Sequence, residues 1–240
     1  MKLGIIGAMA VEVNLLKNKL QNLKVEKEGT FEFYSGVMNK IEVVILLSGI
    51  GKVSAAVGTT LLIERYRPDY IINTGTAGGL QNVKIGDLIL GEKVGYHDAD
   101  LTVFGYELGQ MAQQPVCFKA DDFLLKVALK AIKELPENQI TLKGLILSGD
   151  SFMNDIERVN KIKNNFPKAL AVEMESVAIA QTCRQLSVPF VVIRAISDLA
   201  GEGNSKSYDI FVEEAGKVSA QMIINCTKII ENEKNSKFYS

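Results

Sequence analysis

The sequence predicts an α/β fold: a central mixed, twisted β-sheet flanked by helices in three layers. Three observations predict it. β-Rich runs alternate with stretches of helical spacing along most of the chain. The runs at 3–8 and 190–196 are apolar or small at nearly every position, so helices must cover both faces of the sheet. Residues 31–37 and 41–47 are joined through Asn39 and Lys40, which reads as a hairpin and makes the sheet mixed rather than all-parallel.

Taken in order, residues 3–8 form a short buried strand that ends in small residues. Residues 12–20 have helical spacing, with Leu15, Leu16 and Leu20 on one side. After the hairpin, residues 52–66 read as a helix opened by Gly49 and Gly51 and ended by Pro68 and Asp69. Residues 70–74 are a buried strand that runs into Gly75-Thr76-Ala77-Gly78-Gly79. Short strands are expected at 87–90 and 92–96, then an irregular loop over 100–118. A loop that long inside a compact domain implies a function or a partner. An amphipathic helix over 121–135 stops at Pro136. A strand at 142–148, a helix at 155–164 and a strand at 169–172 follow, the last leading directly into a helix over 173–186. The strand at 190–196 gives way to a glycine-containing loop over 198–205 and a terminal helix over 208–230. Residues 232–240 are polar and are expected to fray. With no repeat or linker, residues 1–240 are expected to form a single domain.

Composition narrows the function. The 240 residues suffice for one large α/β domain, and 47% hydrophobic residues can fill its core. A net charge of -1 gives no basic field to attract nucleic acid. Cys117, Cys183 and Cys226 are widely spaced without a C-x-x-C, so buried reduced thiols are expected. Lys2 and the short apolar run after it mimic a secretory signal weakly, and a first β-strand explains them better. No apolar stretch reaches the ~18 residues that span a bilayer. A cytoplasmic protein with no membrane partner is the expectation.

Ligands of such sheets bind beyond the strand ends. That directs attention to 7–12, 74–79 and 197–200. Each residue there has two readings. Gly4-x-x-Gly7 and the glycines of 75–79 lack the full G-x-G-x-x-G fingerprint and the Walker lysine, so they are tight turns or places where a planar ligand approaches the backbone. Glu12 is a first-turn helix carboxylate or a working acid. Asp198, closing the strand at 190–196, is a cap or an acid. Val172-Glu173-Met174-Glu175 sets two carboxylates in an apolar run, where acids are costly unless paired or used. His97-Asp98-Ala99-Asp100 looks like a metal cluster, but no second histidine exists and structural hydrogen bonding accounts for it better. Ser148-Gly149-Asp150-Ser151-Phe152 is a turn after a strand, not a nucleophile elbow. Phe152 could serve there as a platform for a base.

Several of these junctions, taken together, resemble one family. They are Gly4-Ile5-Ile6-Gly7-Ala8-Met9 with Glu12, Ser48-Gly49-Ile50-Gly51-Lys52, Asn73-Thr74-Gly75-Thr76-Ala77-Gly78-Gly79, His97-Asp98-Ala99-Asp100, Ser148-Gly149-Asp150, Ala171-Val172-Glu173-Met174-Glu175 and Arg194-Ala195-Ile196-Ser197-Asp198. In that order they resemble the 5'-methylthioadenosine/S-adenosylhomocysteine nucleosidases, over essentially the whole chain. The resemblance implies a nucleoside-phosphorylase-like fold, a homodimer, and no metal or cofactor. It implies hydrolysis of methylthioadenosine to adenine and methylthioribose, and of S-adenosylhomocysteine to adenine and S-ribosylhomocysteine. By the same resemblance Asp198, positioned by Ser197, is the general acid at adenine N7, and Glu12 activates water. Glu175 holds the ribose hydroxyls and Met174 packs on the sugar. Phe152 stacks on adenine while the Met153 backbone reads its edge. Met9 and Ile50 line the sugar and alkylthio side. Glu173, Thr76, Gly78, Ala200 and Tyr208 complete the expected binding site. Thr76 stands where serine is frequent, Met153 where a branched aliphatic is, and Tyr208 where phenylalanine is. The 110–115 loop, which in the family reaches the neighbouring subunit's alkylthio pocket, also differs.

The chemistry suits these residues. Protonating adenine makes it a better leaving group, carboxylates stabilise an oxocarbenium-like sugar, and a base on the opposite side activates water. A purine nucleoside phosphorylase on the same fold would need cations for phosphate near the first strand's exit. Glu12 there repels phosphate and suits water. A non-catalytic nucleotide-binding module and a serine hydrolase built on His97 are the other readings. The latter lacks an elbow.

Overall fold

The computed structural model describes residues 1–137, 139–201 and 205–236, with the backbone alone at 205–210 and 234–236. Ten strands and six helices alternate along it. β1 (Lys2–Gly7) is followed by α1 (Ala10–Lys17), then by β2 (Gln21–Glu28), β3 (Phe31–Met38) and β4 (Ile41–Leu47). α2 (Lys52–Tyr66) leads to β5 (Tyr70–Gly79) and β6 (Leu88–Tyr96). A single 3-10 turn at Thr102–Phe104 is the only regular element in the long loop before β7 (Phe118–Lys119). α3 (Asp122–Ala131), β8 (Thr141–Ser148), α4 (Ile156–Asn165), β9 (Ala169–Glu173), α5 (Ser176–Gln185), β10 (Phe190–Leu199) and α6 (Ser205–Ser236) complete the order. Of the tail expected to fray, residues 237–240 lie outside the described residues. No helix among the described residues is long and apolar enough to cross a membrane.

The sheet is mixed, as expected. Its order is β10-β6-β8-β9-β5-β1-β4-β3-β2, with β7 on β6. β10 also pairs with β5 in parallel, so β10, β6, β8, β9 and β5 close on one another while β1 to β4 extend the sheet outward. Alternation along each strand sends side chains to two helical layers. Leu3 and Ile5 of β1, Val43 and Ile45 of β4, and Val191 and Ile193 of β10 join one core with α1, α3 and α6. Ile6, Val44, Leu46 and Val192 join the other core with α2 and α5. A third, smaller cluster of Leu147, Val159, Ile162 and Val172 lies under α4.

The structure differs from the sequence reading where local pattern was uninformative. β2 was not anticipated. All of its residues are exposed, so it carries no alternation to read, and it is an edge strand protected by its charges. β5 does not stop at Thr74 but continues through the glycines to Gly79, because β10 pairs along it from Ile71 to Gly79. Asp198 lies within β10 rather than in a loop. The pairing skips Ser197, a bulge between Ile196 and Asp198. The short strands read at 87–90 and 92–96 form the single β6, which starts at Leu88. The hairpin turn at Asn39 and Lys40 has φ of 47° and 59°, the left-handed geometry favoured between twisted antiparallel strands.

Candidate active site

The carboxyl ends of β1, β4, β5, β8, β9 and β10 surround one cavity of about 330 Å³. Glu12, Glu173, Glu175 and Asp198 all line it, together with Met9, Ile50, Thr76, Gly78, Phe152, Met174 and Ser197. A smaller recess of about 30 Å³ opens from Phe152, Met174 and Asp198 toward Met153 and Ala200. The structure thus gathers every sequence-predicted site residue except Tyr208, whose side chain lies outside the described residues. No lysine or arginine of the described residues lines the cavity.

Glu12 occupies the third position of α1, and its side chain both caps the helix start and lines the cavity. Oε2 accepts the Ala8 N–H at 2.8 Å and the Met9 N–H at 3.0 Å, which caps the helix start. Oε1 accepts the Thr76 N–H at 3.0 Å and the Thr76 hydroxyl at 3.3 Å. The carboxylate therefore bridges the exits of β1 and β5. It passes over Gly75, where a Cβ would come within 2.6 Å of Oε1.

Asp198 faces the same space from β10. The bulge at Ser197 lets two consecutive residues line the cavity, which a regular strand cannot do. Ser197 Oγ donates to Asp198 Oδ1 at 2.8 Å. Burial pushes the Asp198 carboxyl above its ordinary range, against the opposing effect of that hydrogen bond.

The β9 exit holds two acids with different employment. Glu173 is clamped. Arg194 Nη2 donates to its Oε2 at 2.7 Å, Ser148 Oγ donates to its Oε1, and the Ser176 and Glu175 N–H groups bond it as well. Burial alone would raise the Glu173 carboxyl, but Arg194 and the Ser148 and Ser176 bonds outweigh burial and hold it low. Glu175 instead turns one oxygen to the Gly51 N–H at 2.8 Å. Burial and the neighbouring charge of Glu173 push its carboxyl up to about 8.

Arg194, Asn73, Ser148 and Ser176 form a layer beneath the cavity for which the sequence reading assigned no roles. Arg194 Nη2 also donates to Asn73 Oδ1 at 2.7 Å and Ser176 Oγ at 2.9 Å. The available signal was an arginine inside the most β-rich run. A buried cation requires a buried anion, and Glu173 supplies it. The His97-Asp98 segment is structural in the way expected: Asp98 accepts from Lys52 Nζ and from the Asp150 N–H. His97 Nε2 is buried without a hydrogen-bond partner among the described residues, so that nitrogen holds no serine hydroxyl. Cys183 and Cys226 are buried, Cys117 is half-buried, and all three are free thiols.

A family described as the phosphorylase superfamily matches residues 2–232. Among solved structures, a 5'-methylthioadenosine/S-adenosylhomocysteine nucleosidase from Colwellia psychrerythraea in complex with adenine is 46% identical, with 95% of each chain covered and a TM-score of 0.93. The corresponding nucleosidase from Neisseria meningitidis, in complex with methylthio-immucillin-A, is 43% identical over 95% of this chain and 98% of that one, with a TM-score of 0.92. A futalosine hydrolase of Helicobacter pylori is 31% identical over 94% and 97%, with a TM-score of 0.88.

Proposed function

This chain belongs to the phosphorylase superfamily and, within it, to the 5'-methylthioadenosine/S-adenosylhomocysteine nucleosidases; from that premise we propose how its residues carry out the hydrolysis. The enzyme cleaves the N-glycosidic bond of methylthioadenosine and S-adenosylhomocysteine, releasing adenine. The observation that carries the assignment of water as nucleophile is the wall of the cavity. It presents four carboxylates and, among the described residues, no cation that could hold phosphate.

Asp198 donates a proton to N7 of adenine as the bond to the sugar breaks. Its burial supports this role, because an acid must still carry its proton near neutral pH. Ser197 fixes one carboxyl oxygen and leaves the other for the base. Glu12 takes the proton of the attacking water, its carboxylate fixed by Thr76 on one side and the start of α1 on the other. Glu175 accepts the ribose hydroxyls, and Met174, Met9 and Ile50 pack on the sugar and the 5'-substituent. Phe152, 47% exposed at the rim, stacks on adenine. Met153 and Ala200 lie at the recess that receives its edge. The negative wall stabilises the cationic sugar of the transition state.

A homodimer is part of the proposal. Val53 and Val57 lie one helical turn apart on α2 and are exposed, and Val103 and Phe104 of the long loop are 84% and 75% exposed. Such apolar surface is suited to a second subunit. The decisive experiment is adenine release from a panel of 5'-substituted adenosines, futalosine included, with and without phosphate. Turnover without phosphate is expected. Turnover only on adding phosphate would overturn the hydrolase reading.

A further inference from the structure

Lys52, Asp98 and Asp150 lie outside the cavity, yet they converge on one of its walls. α2 opens at Gly51, whose φ of 93° is a left-handed conformation and which offers no side chain as a cap. Its first N–H groups are taken by carboxylates from two other strand exits. Gly51 N–H donates to Glu175 Oε1 at 2.8 Å, inside the cavity. Lys52 N–H donates to Asp150 Oδ1 at 2.8 Å, outside it. The two bonds hold the two successive peptides that flank the Gly51 Cα.

The Lys52 side chain then folds back over the outer bond. Its Nζ lies 2.6 Å from Asp98 Oδ2 and 3.7 Å from Asp150 Oδ2, and 5.2 Å from the centre of the Tyr96 ring. Asp98 Oδ2 also accepts the Asp150 N–H at 3.0 Å. The Lys52 side chain is only 22% exposed, so this network is better shielded than an ordinary surface ion pair. Tight packing underlies it. A Cβ on Gly149 would come within 2.3 Å of the His97 ring, so the β8 exit lies directly on the β6 exit. The His97-Asp98 and Gly149-Asp150 segments therefore meet the start of α2 as one unit.

We propose that the Asp98–Lys52–Asp150 cluster is a latch that positions the Gly51 N–H on Glu175, and so sets ribose recognition from outside the cavity. The three are positioning residues, since none lines the cavity. Asp98 fixes the Lys52 ammonium and the Asp150 backbone. Asp150 fixes the Lys52 N–H, and the peptide before it is thereby aimed at Glu175. The inference rests on the reading of Glu175 as the acceptor of the ribose hydroxyls.

The test compares wild type, Lys52→Met, Lys52→Arg, Glu175→Gln and the Lys52→Met/Glu175→Gln double variant. Three quantities are measured: KM for methylthioadenosine, affinity for adenine alone, and affinity for an adenosine analogue with a non-hydrolysable C-glycosidic bond. Lys52→Met is expected to weaken both nucleoside measures by about tenfold, with adenine affinity unchanged and Lys52→Arg largely restored. On the Glu175→Gln background, the same substitution should cost less than about twofold, because its effect passes through Glu175. Asp98→Asn, which keeps volume and removes charge, should repeat the pattern should Lys52→Met fold poorly. Equal loss of adenine and nucleoside affinity, or an undiminished effect on the Glu175→Gln background, would overturn the latch. Wild-type adenine release without phosphate tests the nucleosidase reading separately. The C-glycosidic analogue reads the latch even where no turnover occurs.

Discussion

Gly75 and Glu12 meet so closely that a Cβ at position 75 would lie 2.6 Å from Glu12 Oε1. Without it, the carboxylate reaches the Thr76 N–H at 3.0 Å across the gap between β1 and β5. Gly75→Ala must therefore either expel the carboxylate from Thr76 or displace β5. Misplacing a catalytic group by about 1 Å can cost about 10²-fold in rate. We expect kcat for adenine release to fall by about that factor, approaching Glu12→Gln, with nucleoside affinity little changed. Steady-state kinetics of both variants check this, and a wild-type kcat in Gly75→Ala would show that Glu12 does not depend on the anchor.

The Arg194–Glu173 pair predicts a stability effect. Both side chains are buried, and the 2.7 Å bond between them is the only ion pair either makes among the described residues. Arg194→Met would leave Glu173 as a buried charge without its partner, at a cost of about 3–5 kcal/mol. Adding Glu173→Gln removes that charge and should recover part of the loss. Chemical denaturation of the two variants measures both values. An Arg194→Met protein as stable as wild type would mean that Ser148 and Ser176 satisfy Glu173 alone.

The extent to which this arrangement could be read from the sequence follows from where the information is local. α2 and the β3–β4 hairpin follow from residues within each segment, and α2 has the expected bounds. The cavity acids were visible as costly residues at strand exits. β2 was not, because a fully exposed edge strand has no buried face to set a period. The continuation of β5 through its glycines and of β10 through Asp198 was hidden too, because each is enforced by pairing with the other, more than a hundred residues away. The Arg194 layer was half legible. The buried cation was evident, but its partners Asn73, Glu173 and Ser176 come from two other strands and a helix.

Glu173 and Glu175 depart from the ordinary carboxyl in opposite directions, and stability should respond to pH with opposite signs. An unfolded glutamate titrates near 4.5. Burial opposes ionisation of Glu173, but Arg194 and its hydrogen bonds prevail and lower its folded value. Its stabilisation is thus present above about pH 4.5 and lost as pH falls further. Glu175, pushed up to about 8 by burial and by Glu173, holds its proton more tightly when folded. Its contribution is complete below about pH 4.5 and is lost as pH rises through about 8. The Tm of the ligand-free protein should therefore fall on both sides. Glu175→Gln, which mimics the protonated acid, should flatten the alkaline fall and leave the acid edge in place. Thermal melts across the pH range decide this, and an unchanged alkaline slope would reject it.

In the proposed reaction Ser197 and Asp198 act on the leaving group as a pair. Asp198→Asn keeps the shape of the side chain but cannot deliver a proton, so kcat should fall by about 10³-fold while adenine still binds. Ser197→Ala acts differently. The Ser197 hydroxyl donates to Asp198 Oδ1 at 2.8 Å and so favours the charged carboxylate, against the burial that raises it. Removing that donor leaves burial unopposed, and the Asp198 carboxyl should rise further. The limb of the kcat/KM profile on which Asp198 loses its proton should then move to higher pH. At the same time a freed carboxyl loses orientation, and the maximum rate should drop by about tenfold. A lower rate with no movement of that limb would mean that Ser197 orients Asp198 without tuning its acidity. A limb that moves to lower pH would contradict the assignment of Asp198 as the acid held in reserve by burial.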